Sequence, residues 1–138
     1  MAVTPYLFLD GRCEEAIEFY KKNLGAEVQM MMRFNEAPAD HKATPGTENK
    51  IMHACISING APVMMSDGMA KGNKPEFKGF SLSLDAKDVG NGKRMFDALA
   101  QGGQVHQPLI ETFFAQSFGM VADKFGVGWM IIAGPKNP

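Results

Sequence analysis

Gly126–Ile131, GVGWMI, repeats a pattern already present at Gly60–Met65, GAPVMM. Each run has a glycine, two intervening residues and then an apolar triplet with methionine in the middle, and the two are offset by 66 positions. In the second copy Lys124-Phe125-Gly126 reads as a turn feeding the buried strand Trp129-Met130-Ile131-Ile132. In the first, Asn59-Gly60 is a hairpin-type turn joining a strand at Lys50–Ile58 to one at Pro62–Ser66.

The residues before each copy also correspond. Val3–Leu9 is β-like, and Arg12–Leu24 is an amphipathic helix with Cys13, Ala16, Ile17, Tyr20 and Leu24 on one face. Its first turn carries Glu14 and Glu15, its last Lys21 and Lys22, and Gly25 follows as a helix stop. A strand at Glu27–Phe34 completes the first set. In the second set come a strand at Phe80–Leu84, a helix around Val89–Gln101, and strands at Gln104–Thr112, Ser117–Ala122 and Gly128–Ala133. Phe19, Gly25 and Val28 map onto Phe96, Gly102 and Val105 at a constant offset of 77. The period is too long, and the copies too few, for a solenoid.

This order predicts an α+β fold made of tandem β-α-β-β-β repeats, 3–67 and 77–134, within a single domain spanning 1–138. Each sheet would have one face covered by its helix and one bare. Two bare faces set side by side would form a curved mixed-sheet half-barrel, with an apolar trough between the repeats suited to a small molecule. Gly90 and Gly92 weaken the opening turn of the second helix by roughly 1 kcal/mol each relative to alanine, which predicts a frayed or displaced start. The segment Asn35–Asn49, NEAPADHKATPGTEN, has no periodicity and a length expected of a mobile lid or a disordered excursion.

A chain of 138 residues can bury roughly 70% of its unfolded surface. Lysine and arginine number 14 against 15 aspartates and glutamates, so no basic footprint for nucleic acid is expected. Cys13 and Cys55 lack C-x-x-C spacing and are expected to be reduced thiols. The opening MAVTPYLFLDGR has no leader pattern and no window reaches 18 uninterrupted apolar residues, so a cytoplasmic protein without membrane partners is expected. Methionine is abundant, at 11 residues, with Met30-Met31-Met32 and Met64-Met65 adjacent on strands. Such side chains fill irregular cores or form adaptable apolar surfaces.

The tandem layout resembles the vicinal oxygen chelate superfamily, which includes glyoxalase I, extradiol dioxygenases and the bleomycin-resistance proteins. Within it, PYLFLDGRCEEAIEFYKKNLGAE, MMSDGMAKG, GKRMFDALAQGG, ETFFAQSFGMVADKFGV and WMI resemble the PhnB-like branch, which carries a demethylubiquinone methyltransferase-like domain name. Metal-dependent members place His, Gln or Glu ligands on the first and fourth strands of each repeat. Carried over, those places fall at Pro5, Met64, Gly79 and Met130, or, one residue along, at Tyr6, Met65, Phe80 and either Trp129 or Ile131. Neither register supplies a histidine or a carboxylate, so the resemblance implies no metal and no cofactor at the expected centre. It also implies a homodimer.

Two groups remain as candidate chemistry. His53 shares a strand face with Cys55 and would serve as ligand contact or acid/base, or else as a half-buried imidazole bonded to a neighbouring strand. Glu111-Thr112-Phe113-Phe114 would close a cavity mouth with stacking rings and an orienting carboxylate, or else form an ion pair and packed turn. His41, in the polar segment, and His106, at a strand start, carry less weight, and Asp67 and Asp123 read as turn residues. Gly92-Lys93-Arg94 is not a P-loop, Gly126-Val127-Gly128 opens a strand where a dinucleotide turn would open a helix, and no site for S-adenosylmethionine or Ser-His-acid arrangement is identifiable.

The reading is a metal-independent binder of a small organic molecule, with Tyr6, His53, Cys55, Met64, Glu111, Phe114, Trp129 and Met130 as contacts. The competing reading is a lyase, isomerase or dioxygenase-like enzyme with His53 and Glu111 as catalytic candidates, or with a divalent metal on displaced ligands.

Overall fold

A computed structural model of the chain describes residues 3–38, 45–68 and 74–136. The chain divides into two compact units, Met1–Pro75 and Glu76–Pro138. In the first, β1 (Tyr6–Phe8), α1 (Cys13–Leu24), β2 (Glu27–Arg33), a short 3-10 turn at Phe34–Glu36, β3 (Ile51–Ile58) and β4 (Ala61–Ser66) form a sheet of order β1-β4-β3-β2. In the second, β5 (Leu82–Asp85), α2 (Val89–Ala100), β6 (Gln104–Ile110), β7 (Ala115–Ala122) and β8 (Gly128–Pro135) repeat it as β5-β8-β7-β6. Each sheet is mixed and open: its first strand pairs parallel with its last, and the remaining pairs are antiparallel.

The helices cover one face of each sheet because their apolar stripes find the alternate apolar residues of the strands. Ala16, Ile17 and Tyr20 of α1 are buried with Leu7, Ala54, Ile56 and Met65, and Met95, Phe96 and Leu99 of α2 with Leu84, Val121, Trp129 and Ile131. Full burial of each large apolar side chain is worth about 1.5–3 kcal/mol. Asn59 and Gly60 both have positive φ, 52° and 80°, as a two-residue hairpin between β3 and β4 requires.

Several boundaries differ from those expected. Val3 is fully exposed and β1 begins only at Tyr6, since its ladder with β4 spans three pairs. Likewise β5 begins at Leu82, leaving Phe80 outside it and half exposed. Strand β6 stops at Ile110 because Thr112 makes a side-chain turn, its Oγ1 accepting from the backbone N–H groups of Phe114 and Ala115. The chain is thereby returned two residues early, and β7 starts at Ala115 opposite Pro135.

The start of α2 is neither frayed nor displaced. The Asp88 carboxylate accepts from Asn91 N at 2.7 Å, which caps the helix at Val89. Gly92 is buried against the sheet: a Cβ there would stand 3.3 Å from Ala86 Cβ and 3.4 Å from Ala133 Cβ. The glycine that weakens the isolated helix permits its close approach to β8.

In the segment Asn35–Asn49 the described flanks are tied together. Asn35 N donates to Glu48 O, Asn35 Nδ2 to Asn49 Oδ1, and Phe34 N to Lys50 O. His41 lies outside the described residues.

Candidate functional site on the uncovered sheet faces

Residues directly opposite one another across a sheet share a face. In the first unit the row Tyr6, Met64, Cys55 and Met30 runs across β1, β4, β3 and β2, and Met32 pairs with His53 one step along. These side chains lie on the face away from α1, half-buried or, for Met30, exposed. The Tyr6 ring reaches over β4 so that its hydroxyl oxygen lies 2.9 Å from His53 Nδ1, and the two rings stack at 5.5 Å. Tyr6 also packs on the exposed Phe8, at 4.9 Å between ring centroids. Among the described residues His53 Nε2 has no hydrogen-bond partner, which leaves it as a donor or acceptor.

The two cysteines are unlike. Cys55 is partly exposed on this face; Cys13 lies under the sheet, where burial first, and then the carboxylates of Asp67 and Glu14, push its thiol well above the ordinary range. Asp67 is itself buried. Its Oδ1 accepts from Gly11 N and Cys13 N and its Oδ2 from Ile51 N, at 2.7–2.8 Å, which joins the end of β4 to the entry of α1 and the start of β3. It is a structural knot, and more than the turn residue expected.

In the second unit the equivalent row is Ser83, Met130, Met120 and Gln107, with Ile132 and Phe118 in the next row. Phe118 meets Phe114 edge-on at 5.3 Å, and Phe114 meets Phe113 in the same way. Trp129 is on the opposite face, 3% exposed, and its indole N–H donates to Asp123 Oδ2 at 2.9 Å. Asp123 Oδ1 accepts from Phe125 N and Val127 N, so this aspartate too is a buried knot. Glu111 is exposed at the end of β6 and paired with Lys136, which holds its carboxyl below the usual range. His106 is an exposed residue of β6.

Of the expected contacts, Tyr6, His53, Cys55 and Met64 come together on one face, and Met130 and Phe114 lie on or beside the equivalent face of the second unit. Trp129 belongs to the core, and Glu111 is engaged in a surface ion pair. Met30, Met32, Met120 and Phe118 were not anticipated as contacts. An unbroken Met-Met-Met run has no alternation to say which residues face where, whereas Phe118, two residues before Met120, was legible by period two.

The strand pairing also fixes which residues stand opposite Met64 and Met130. Tyr6 is the partner of Met64, and the partner of Met130 is Ser83; Gly79 and Phe80 precede β5. A tyrosine with a thioether in the first unit, and a serine with a thioether in the second, are poor donors for a divalent cation. Among the described residues no three His, Cys, Asp or Glu side chains are grouped to hold one. No described helix is long and apolar enough to cross a membrane.

The tandem of two β-α-β-β-β units is matched in known proteins. The chain belongs to the family described as 3-demethylubiquinone-9 3-methyltransferase, which it matches over residues 1–132, the PhnB-like branch of the glyoxalase/bleomycin-resistance/dioxygenase fold. It is 41% identical to protein YjdN of Escherichia coli, over 100% of this chain and 99% of that one. Among solved structures it is similar to protein PA1353 from Pseudomonas aeruginosa, at 36% identity, TM-score 0.85 and coverage of 97% and 98%. A putative 3-demethylubiquinone-9 3-methyltransferase, PhnB protein, from Bacillus cereus has 28% identity, TM-score 0.80 and coverage of 97% and 100%. Likeness in fold alone extends to a glyoxylase/bleomycin resistance protein/dioxygenase domain from Frankia, at 16% identity and TM-score 0.60, and to the fosfomycin resistance protein FosX from Listeria monocytogenes, at 9% and 0.65.

Proposed function

We propose that this protein binds a small, partly aromatic organic molecule on its helix-free sheet faces, without a divalent metal or cofactor, and that it does so in the cytoplasm as a homodimer. The observation that carries this reading is the Tyr6–His53 pair set among Met30, Met32, Cys55 and Met64. Polarizable thioethers adapt to the outline of an apolar ligand, and one fixed polar pair orients it. Ile110 and Phe113, 53% and 80% exposed, support self-association by offering apolar surface of the kind an interface covers.

A second reading rests on the same pair. The phenol holds the imidazole through Nδ1 and leaves Nε2 to exchange a proton with a substrate, as an enzyme with His53 as general acid or base requires.

One experiment separates the two. A library of small aromatic and carbonyl compounds is screened by thermal shift, hits are quantified by calorimetry, and each is incubated and analysed for product. Binding without product, lost in Met64→Glu, reduced only modestly in His53→Ala and insensitive to chelator, is the result expected. Product formation abolished by His53→Ala establishes the enzyme instead. Hits that bind Met64→Glu and Met130→Glu unchanged overturn the site.

A further inference from the structure

We propose that Met30, Cys55 and Met64, with His53 beside them, form a binding site for a soft monovalent cation, copper(I) or silver(I). The three sulfur residues are successive cross-strand partners on β2, β3 and β4 and face the side away from α1. Neighbouring strands run about 4.8 Å apart, and methionine has three rotatable bonds, so both thioethers can swing toward the thiol between them. His53 is two residues from Cys55 on the same face. With Nδ1–H donating to the Tyr6 oxygen, Nε2 carries the lone pair available to a metal.

The donor set selects the ion. Thioether and thiol sulfur with imidazole favour a soft d10 cation, and this row of the sheet contains no carboxylate to attract a hard one. A two- or three-coordinate ion also needs no octahedral or tetrahedral cage, which an open sheet face does not supply. Binding replaces the S–H bond of Cys55 with a metal–sulfur bond and releases one proton to solvent; the thioethers and imidazole donate lone pairs, and the oxidation state of the ion does not change. Cys13, buried beneath the sheet, is not a competitor.

The site shares its face with the proposed organic ligand but does not depend on it, so a screen that finds no organic binder leaves the cation titration unaffected. The test is an anaerobic titration of the reduced full-length protein with copper(I) against a chromogenic copper(I) chelator. Silver(I) and the methyl 13C resonances of methionine provide an independent readout. The wild-type protein and Cys13→Ser are expected to take up one equivalent, with the Met30 and Met64 methyl signals shifting. Cys55→Ser and the double variant M30L/M64L are each expected to bind at least about tenfold more weakly. Leucine for methionine conserves volume, and circular dichroism verifies that the fold is retained. Equal affinity in M30L/M64L reduces the site to a lone thiol and overturns the proposal, as does loss of binding in Cys13→Ser, or the absence of binding by the folded wild-type protein.

Discussion

The hydroxyl of Tyr6 lies 2.9 Å from Nδ1 of His53, although 47 residues separate them. The contact crosses β4, so it depends on the parallel pairing that sets Tyr6 opposite Met64. Tyr6→Phe removes the partner of Nδ1 while keeping the ring. It is expected to cost about 0.5–1.5 kcal/mol in urea unfolding and to change the tautomer balance of His53 in long-range 1H–15N spectra. An unchanged His53 spectrum contradicts the contact.

Trp129 is the single tryptophan and sits under α2, bonded to Asp123. Its emission is expected to be blue-shifted and poorly quenched by acrylamide. A ligand bound beside Met130, on the opposite face, is expected to leave that emission nearly unchanged. Strong quenching by such a ligand places the binding surface elsewhere.

Asp67 satisfies three buried backbone donors at once. Asp67→Ala orphans Gly11 N, Cys13 N and Ile51 N and is expected to destabilise the protein by about 3–5 kcal/mol. A merely turn-forming aspartate at the surface would cost under about 1 kcal/mol, so denaturant titration distinguishes the two roles.

Gly90 and Gly92 are equally unfavourable in an isolated helix but stand in different surroundings. A Cβ at position 90 meets only Asp88 Oδ1, at an ordinary 3.6 Å, whereas one at 92 presses on Ala86 and Ala133. Gly90→Ala is expected to stabilise by about 0.5–1 kcal/mol, and Gly92→Ala to fall short of that gain or reverse it. Equal melting shifts for the two variants refute the tight α2–β8 contact.

The Arg33 guanidinium donates to Glu14 and holds its carboxyl below the usual range. A carboxyl whose pKa is lower folded than unfolded adds stability above its unfolded value, about 4.3, and the contribution disappears as pH falls through the folded value. The pair is largely solvated, so the effect is small and screened by salt. Wild type and Glu14→Gln are therefore expected to differ slightly at pH 7 in low salt and to converge below pH 4. A gap that widens on acidification contradicts the sign.

The local features were legible because their causes lie within a few residues of one another. The helix at Cys13–Leu24 shows its apolar stripe and charged ends in the sequence, and Asn59-Gly60 shows its turn. Asp67 shows nothing comparable: its donors come from residues 11, 13 and 51, which meet only when β1, β3 and β4 assemble. Ser83 opposite Met130 was hidden for a similar reason, since Phe80 reads as strand until the ladder with β8 is seen to begin at Leu82.

The sequence by itself determined the order of elements and their duplication at offsets of 66 and 77. Those follow from composition and periodicity along the chain. Only the tertiary structure decided that Met130 faces the open side while Trp129 beside it is core, and that Met30, Cys55 and Met64 form one row. Adjacent residues on a strand point to opposite faces, and a slip of one residue exchanges them. Register is set by hydrogen bonds between strands far apart in the chain, and by which face the helix covers.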